Sequence, residues 1–302
     1  MQTALITGVN GFTGRYLAKE LEAAGHTVYG VVHGGEFAGD REFSIDICER
    51  NAVRELIDNL EPDVIAHLAA VSFVAHDDIA EVYQTNIIGT RNLLEALADS
   101  EKRPKSVLLA SSGNVYGNTS VDPIDESTPV CPANDYAVSK LSMEKMARLW
   151  LDKLPIVIAR PFNYTGSGQS TKFLLPKIVE HYRRGAREIE LGNVDVKRDF
   201  SDVRTVVGCY AKILELSPSG EVFNVCSGQA ISLQQILTMM SEIAGYEIEV
   251  KINPAFIRDN EVKRLRGSND KLLKTIGDIT QIPLMETLRW MYQSGRANAS
   301  WD

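Results

Sequence analysis

Gly8-Val9-Asn10-Gly11-Phe12-Thr13-Gly14 constrains this chain more than any other stretch. A short apolar run, Thr3 to Thr7, precedes it and reads as a buried strand. An apolar helical stripe of Tyr16, Leu17, Leu21 and Ala24 follows, closed by Gly25. Thr27 to Val32 then reads as a second buried strand. Strand, glycine turn, helix and strand within about 30 residues is the setting a dinucleotide fingerprint requires. The glycines permit a tight turn and let backbone approach a pyrophosphate, and the helix N-terminus offers NH groups and a dipole. The spacing is G-x-x-G-x-x-G rather than G-x-G-x-x-G. An ordinary tight turn is the plainer account, and the strand-helix-strand setting argues against it. Gly8, Asn10, Gly11, Phe12, Thr13 and Gly14 are therefore candidate cofactor residues.

The end of the second strand bears on which dinucleotide fits. An acid there would hold the ribose 2′-OH of NAD, and its absence admits the 2′-phosphate of NADP. The residues are Val31-Val32-His33-Gly34-Gly35, and the first acid, Glu36, stands past two glycines. This favours NADPH, with NADH also possible. His33 is a candidate for the adenine-ribose side, and a surface loop histidine is an equal account of it. Glu42 to Ile47 reads as a short strand whose end, Asp46-Ile47, would neighbour the adenine. Asn51 to Leu60 reads as a helix. Asp63 to Ala70 reads as a strand, and Leu68, Ala69 and Ala70 at its carboxyl end would let a cofactor lie close. One long helix is expected from Ala80 to Ser100, carrying Asn86, and another strand from Ser106 to Ser111. Helices between short apolar strands predict an α/β fold, a Rossmann-type doubly wound parallel sheet.

Charge and cysteine usage exclude some functions. The formal net charge of -8 argues against a nucleic-acid or anionic-membrane partner. No apolar run reaches the roughly 20 residues of a spanning helix. The start of the chain lacks a basic region and cleavage site, so no signal peptide is expected. Cys48, Cys131, Cys209 and Cys226 are scattered, without metal-ligand spacing, and suggest free thiols in a reducing compartment such as the cytoplasm.

The candidate chemistry lies after the fifth strand. Tyr136 and Lys140 stand four residues apart, which places them on one helix face. A free phenol has a pKa of about 10, and a nearby ammonium lowers it. Such a pair gives a proton donor or acceptor for work near neutral pH. Ser112, in Ser111-Ser112-Gly113-Asn114-Val115-Tyr116-Gly117, could hydrogen-bond a substrate carbonyl. Lys140 could also hold the nicotinamide ribose. A turn serine and a solvated helix face are the plainer readings when each is taken singly.

Taken together, these motifs resemble the extended short-chain dehydrogenase/reductase family over nearly the whole chain. The resemblance rests on Gly8-Gly11-Gly14, His67-Leu68-Ala69-Ala70, Asn86 before Gly89-Thr90, the Ser111-Gly117 stretch, and Arg160-Pro161-Phe162-Asn163-Tyr164-Thr165-Gly166. The pattern E-x-x-P-x-x-P-x-x-x-Y-x-x-S-K, from Glu126 to Lys140, matches at every fixed position. It implies Ser112, Tyr136 and Lys140 as catalytic triad, a nucleotide-diphosphate sugar as substrate, and a homodimer paired through two helices of the cofactor domain.

Departures from the family patterns narrow the reaction. The family's sugar dehydratases carry a glutamate where this chain has Asn114, and an amide cannot do carboxylate acid-base work. The family's epimerising reductases carry a cysteine at Asn114 and a histidine near Phe173, and both are missing. Ser-Tyr-Lys alone suffices for hydride transfer at a sugar carbon. Arg198-Asp199-Phe200-Ser201-Asp202-Val203-Arg204 resembles a region of GDP-4-keto-6-deoxy-D-mannose reductases, so a GDP-sugar is the expected ligand and reduction at carbon 4, giving GDP-D-rhamnose, the expected reaction. A 4-epimerase with tightly bound NAD is the main alternative; a dehydratase and a non-catalytic NADP-binding regulator rank lower. Arg198 suits a diphosphate through bidentate contacts, whereas Arg204 reads as half of a surface Arg-Asp pair. By family match, Asn163 and Lys177 lie near sugar and diphosphate, Arg258 binds phosphate and Glu261 the nucleotide ribose. Asp259 replaces the proline usual in that loop. Ser72 and Asn114 complete the candidate substrate residues. A cofactor domain is expected over 1-163 and a smaller α/β substrate domain mainly over 164-302, with the chain crossing between them.

Overall fold

The computed structural model describes residues 2–33, 39–72, 78–256 and 264–294. Short apolar runs become β1 (Thr3–Thr7), β2 (Thr27–Val32), β3 (Glu42–Ser44), β4 (Val64–His67), β5 (Ser106–Ala110) and β6 (Ile156–Pro161). Between them lie α1 (Phe12–Ala23), α2 (Arg50–Leu60), α3 (Ile79–Tyr83), α4 (Thr90–Asp99) and α5 (Asp135–Ala147). β7 (Asn163–Thr165), α6 (Leu174–Arg183), β8 (Glu188–Leu191) and β9 (Lys197–Asp202) follow. The rest comprises α7 (Val203–Leu216), β10 (Val222–Val225), β11 (Ala230–Ser232), α8 (Leu233–Ala244), β12 (Glu249–Ile252), β13 (Arg264–Leu265), α9 (Asp270–Ile276) and α10 (Leu284–Ser294).

Seven strands form one sheet in the order β3-β2-β1-β4-β5-β6-β10, and every neighbouring pair is parallel. Covered on both faces, these strands read as continuous apolar runs rather than as alternation. On one face α1 and α7 bury Leu17, Leu21, Val206 and Ile213 with Phe223 of β10. On the other, α2, α4 and α5 bury Ile57, Leu94, Leu97 and Met143. A smaller lobe has its own core of Ile178, Tyr182, Ile236, Met240 and Leu288. The chain leaves the sheet after β6, yet returns to it: α7 packs on α1, and β10 adds the seventh strand beside β6. Strand order reverses between β1 and β4, and ligands of such sheets bind in the crevice at the strands' carboxyl ends there.

The helix expected over Ala80 to Ser100 is interrupted. Between α3 and α4, Gln84–Gly89 forms a π-helical turn. The widened turn turns Asn86 inward, where its side-chain oxygen accepts from Val71 N at 2.9 Å. Its amide donates to Val71 O at 3.2 Å and to Ser139 Oγ at 2.9 Å. Such bulges concentrate at functional sites. Here the bulge ties the segment after β4 to the helix of Tyr136 and Lys140. The third strand is shorter than expected, ending at Ser44, although Ile45 N still donates to Val32 O at 3.0 Å.

Candidate active site

A cleft of about 1330 Å³ opens over the carboxyl ends of β1, β4, β5 and β6 and is closed by the smaller lobe. The glycine turn forms its floor. Gly8 has φ +73°, a conformation that glycine adopts without strain, and its N–H donates to Val31 O at 2.8 Å. A Cβ on Gly14 would stand 2.3 Å from Gly8 O, so the turn closes only on a bare backbone. One on Gly8 would meet Ala69 N at 3.0 Å. The first turn of α1 has neither a side-chain cap nor an acid, so its N–H groups remain available to an anion. This cradle fits a dinucleotide pyrophosphate.

Beneath the turn runs a buried hydrogen-bond chain. Thr90 Oγ1 donates to Asn86 O at 2.8 Å, so it accepts from His67 Nε2–H at 2.8 Å. His67 Nδ1 accepts from Thr7 Oγ1 at 2.7 Å, and Thr7 Oγ1 accepts from Ala69 N at 3.1 Å. Burial, then the Lys140 charge, pushes the imidazole down to about 3, so it is neutral. The chain fixes Leu68, Ala69 and Ala70 at the cleft wall. Farther along, Asp46 Oδ1 accepts from Cys48 N at 2.8 Å, and Ile47 O accepts from Asn92 Nδ2 at 3.1 Å. Asp46, Ile47 and exposed His33 all line this end of the cleft.

Opposite stand Ser112, Tyr136 and Lys140, on the loop after β5 and on α5. Asn134 caps α5 by accepting from Ala137 N at 2.9 Å. The Ser112 hydroxyl accepts from Asn114 N at 3.1 Å and also hydrogen-bonds Tyr136. Burial pushes the Tyr136 phenol up to about 12, and the Ser112 bond pulls it partly back. Lys140 Nζ donates to Ala110 O at 2.8 Å. Burial brings its ammonium down to about 8, against the pull of the Glu144 carboxylate. The sequence-based expectation that Lys140 lowers the Tyr136 pKa is corrected here. Desolvation outweighs any help from the ammonium, which is turned to the β5 carbonyl, and the phenol stays protonated at neutral pH.

Glu144 lies one helical turn beyond Lys140 and belongs to a closed ionic network. Arg160 Nε and Nη2 donate to its two oxygens at 2.8 and 2.6 Å, and Ser111 Oγ donates to Oε1 at 2.5 Å. Arg160 Nη1 donates to the Tyr116 hydroxyl at 2.9 Å, which donates to Asn224 Oδ1 at 2.7 Å. A buried pair is stable only with good geometry and with its remaining donors and acceptors satisfied. Both conditions are met, directly behind Ser112 and Lys140.

The smaller lobe supplies the third wall. Lys177 Nζ donates to Glu190 O at 2.9 Å and lies 4.6 Å from the Phe256 ring centroid. Arg198 Nη1 donates to Lys197 O at 3.1 Å, and Asn163 Nδ2 to Asp199 O at 3.4 Å. Lys177, Arg198 and Asn163 line the cleft with Ser72 and Asn114. Arg258 and Glu261 lie outside the described residues. Arg204 pairs with Asp202 at 2.9 and 2.7 Å and covers Trp290 at 4.0 Å; the expected Arg-Asp pair forms, but its carboxylate is buried, so it is not the surface pair expected.

Every candidate from Gly8 to Arg198 that the structure describes therefore faces one cleft. Sequence reading missed Glu144, although it stands four residues beyond Lys140, the same helical spacing that linked Tyr136 to Lys140. It also missed Tyr164, whose hydroxyl meets Thr13 Oγ1 at 2.7 Å and whose ring stacks on Phe12 with centroids 6.1 Å apart. No local spacing signals a contact across 151 residues. Among the described residues there is no cluster of three or more His, Cys, Asp or Glu that could hold a metal, and no helix long and apolar enough to cross a membrane.

A family model described as GDP-mannose 4,6 dehydratase matches residues 5–291. The chain is 34% identical over 299 residues to the GDP-6-deoxy-D-mannose reductase of Pseudomonas aeruginosa, covering 95% of each. It is 32% identical over 280 residues to the GDP-6-deoxy-D-talose 4-dehydrogenase of Aggregatibacter actinomycetemcomitans, covering 91% of each. Among solved structures, an epimerase candidate from Burkholderia cenocepacia J2315 is 51% identical with a TM-score of 0.93, over 98% of this chain and 99% of that one. The structure of RMD from Pseudomonas aeruginosa complexed with NADPH is 32% identical with a TM-score of 0.87, over the same shares. The chain belongs to the GDP-mannose 4,6 dehydratase family, within the extended short-chain dehydrogenase/reductase enzymes.

Proposed function

We propose that the protein reduces GDP-4-keto-6-deoxy-D-mannose at carbon 4 with NADPH, giving GDP-D-rhamnose. The observation that carries this reading is a Ser112-Tyr136-Lys140 site with a protonated phenol and an amide, Asn114, at the position of the dehydratase carboxylate. NADPH, when bound, would supply the hydride for the carbonyl carbon. The carbonyl π electrons pass to the oxygen, and Tyr136 gives that oxygen its proton. Ser112 holds the oxygen by hydrogen bond as charge develops. Lys140 would hold the nicotinamide ribose, and the phenolate left on Tyr136 regains its proton from solvent.

Gly8, Asn10, Gly11, Phe12, Thr13 and Gly14 would hold the pyrophosphate; Leu68, Ala69 and Ala70 the middle of the cofactor; Asp46, Ile47 and His33 its adenosine end. The lack of an acid at His33 supports NADPH, as does the NADPH complex of the Pseudomonas aeruginosa relative. Lys177 and Arg198 would neutralise the sugar diphosphate, and Ser72, Asn114 and Asn163 would face the sugar. The guanine nucleotide is supported by two relatives that carry GDP-sugar names. A 4-epimerase with retained NAD is the second reading, favoured by the 51% identical epimerase candidate.

Reduced-nicotinamide absorbance separates these readings. With NADPH and GDP-4-keto-6-deoxy-mannose generated in place by a separate dehydratase, the absorbance should fall. With a UDP-4-keto-sugar it should not. No loss with any pair, together with NAD carried through purification, would replace the reductase reading by the epimerase one.

A further inference from the structure

The smaller lobe touches the glycine turn at several points. The Phe12 ring stacks on Tyr164 at an interplanar angle of 15°. The Tyr16 hydroxyl donates to Ser167 O at 2.7 Å. Thr13 Oγ1 and the Tyr164 hydroxyl lie 2.7 Å apart, and neither hydroxyl has another hydrogen-bond partner among the described residues. The Tyr164 backbone is fixed from the far side. β7 pairs in parallel with β9, whose Phe200 belongs to the core of the smaller lobe, and Gln169 Nε2 donates to Tyr164 O at 3.2 Å.

Two hydroxyls joined by one hydrogen bond leave one hydrogen over. A phenol is the better donor, and an alcohol oxygen the better acceptor. Burial raises the Tyr164 pKa and the Thr13 bond pulls it partly back, so the phenol keeps its proton at neutral pH. Tyr164 therefore donates to Thr13, and the hydrogen left over is that of Thr13. Thr13 is the second residue of α1, among the uncapped N–H groups of its first turn. Both Thr13 and Tyr164 line the cleft, and both are half-buried rather than sealed. A hydroxyl at this place can join the N–H groups on one anion. Phenylalanine would keep the stack on Phe12, so packing alone does not account for the Tyr164 hydroxyl.

We infer that Tyr164 is a positioning residue for the cofactor cradle: by donating to Thr13 Oγ1 it turns the Thr13 hydrogen toward a diphosphate oxygen of the dinucleotide. This role rests on the dinucleotide reading given above. The cradle is then completed from the smaller lobe, by the residue next to Asn163, and does not consist of the glycine turn alone.

The test compares wild-type protein with Thr13→Val, Thr13→Ser, Tyr164→Phe and the double variant Thr13→Val/Tyr164→Phe. NADPH is titrated by quenching of tryptophan fluorescence. Thr13→Val should bind it about tenfold more weakly, the scale of one hydrogen bond. Tyr164→Phe, which loses only the orientation of that bond, should bind it about threefold more weakly. The double variant should be no weaker than Thr13→Val, because Tyr164 acts through Thr13. Thr13→Ser restores the hydroxyl and should bind as wild type does. Adenosine 2′-monophosphate, which has no diphosphate, should compete equally well in every variant once the NADPH affinities are allowed for. Unchanged NADPH affinity in Tyr164→Phe, or losses that add in the double variant, would overturn the positioning role. Equal weakening of NADPH and adenosine 2′-monophosphate would reduce Tyr164 to a residue that packs the lobes together. If wild-type protein binds neither NADPH nor NAD, the dinucleotide reading fails and the role of Tyr164 fails with it.

Discussion

The two sides of the cleft are built by different means. On the dinucleotide side, position is set by backbone and by buried polar groups that satisfy one another. Gly14 has no room for a Cβ, His67 is held at both nitrogens, and Glu144 receives three donated hydrogen bonds. On the smaller-lobe side, Lys177 and Arg198 reach over the cleft on long side chains that donate to backbone carbonyls. The first side fixes atoms to fractions of an ångström, as hydride and proton transfer demand. The second presents cations that can change partner when a diphosphate arrives. The reaction type is thus carried by the rigid side, and substrate identity by the adaptable one.

Substitutions on the two sides should therefore fail differently. The largest effect is expected at Tyr136. Tyr136→Phe removes the acid and keeps the ring, so turnover should fall by about 10²- to 10⁴-fold while NADPH binding persists. Near-normal turnover in steady-state kinetics would take the acid role away from Tyr136.

An intermediate effect is expected in the pH profile. Burial holds Lys140 at about 8, so turnover should decline on the alkaline side as that ammonium is lost. Tyr136, at about 12, stays protonated across this range and does not set the limb. Glu144 favours the charged lysine, so Glu144→Gln should move the limb to lower pH. An unmoved limb would separate the buried ion pair from Lys140. The same shift bears on stability. Because the folded pKa lies below the ordinary value near 10.5, the unfolded chain binds this proton where the folded one does not, so the Lys140 contribution to stability rises with pH between about 8 and that value.

The smallest effect is expected across the cleft. Lys177→Ala should raise KM for the GDP-sugar by roughly tenfold, one charged contact, with NADPH affinity and melting temperature unchanged. A loss in turnover with KM intact would place Lys177 on the chemical side and break the comparison.

The same division explains what the sequence disclosed. The glycine turn, the apolar strands and Tyr136-x-x-x-Lys140 are local patterns whose geometry follows from spacing, and they outline both sheet and catalytic pair. Glu144 was within reach of the same helical reasoning. The π turn at Gln84–Gly89 was not, because it depends on Asn86 finding Val71 and Ser139 in the folded chain. Nor was the raised Tyr136 pKa legible: a nearby lysine is visible in sequence, whereas the burial that outweighs it is not. Tyr164 and Tyr210 reach the cleft from β7 and α7, segments far along the chain from the glycine turn.

The central claim is that this cleft moves a hydride from a nicotinamide to carbon 4 of a GDP-sugar. NADPH deuterated at the transferable position, incubated with the protein and GDP-4-keto-6-deoxy-mannose, tests it by NMR of the product. Deuterium on sugar carbon 4, with one NADPH oxidised per sugar reduced, is the expected result, and the coupling at that carbon gives the configuration formed. A 4-keto sugar left unreduced with no NADPH oxidised, while the same protein with retained NAD interconverts a 4-hydroxy GDP-sugar and its 4-epimer, would contradict the claim and assign the cleft to epimerisation.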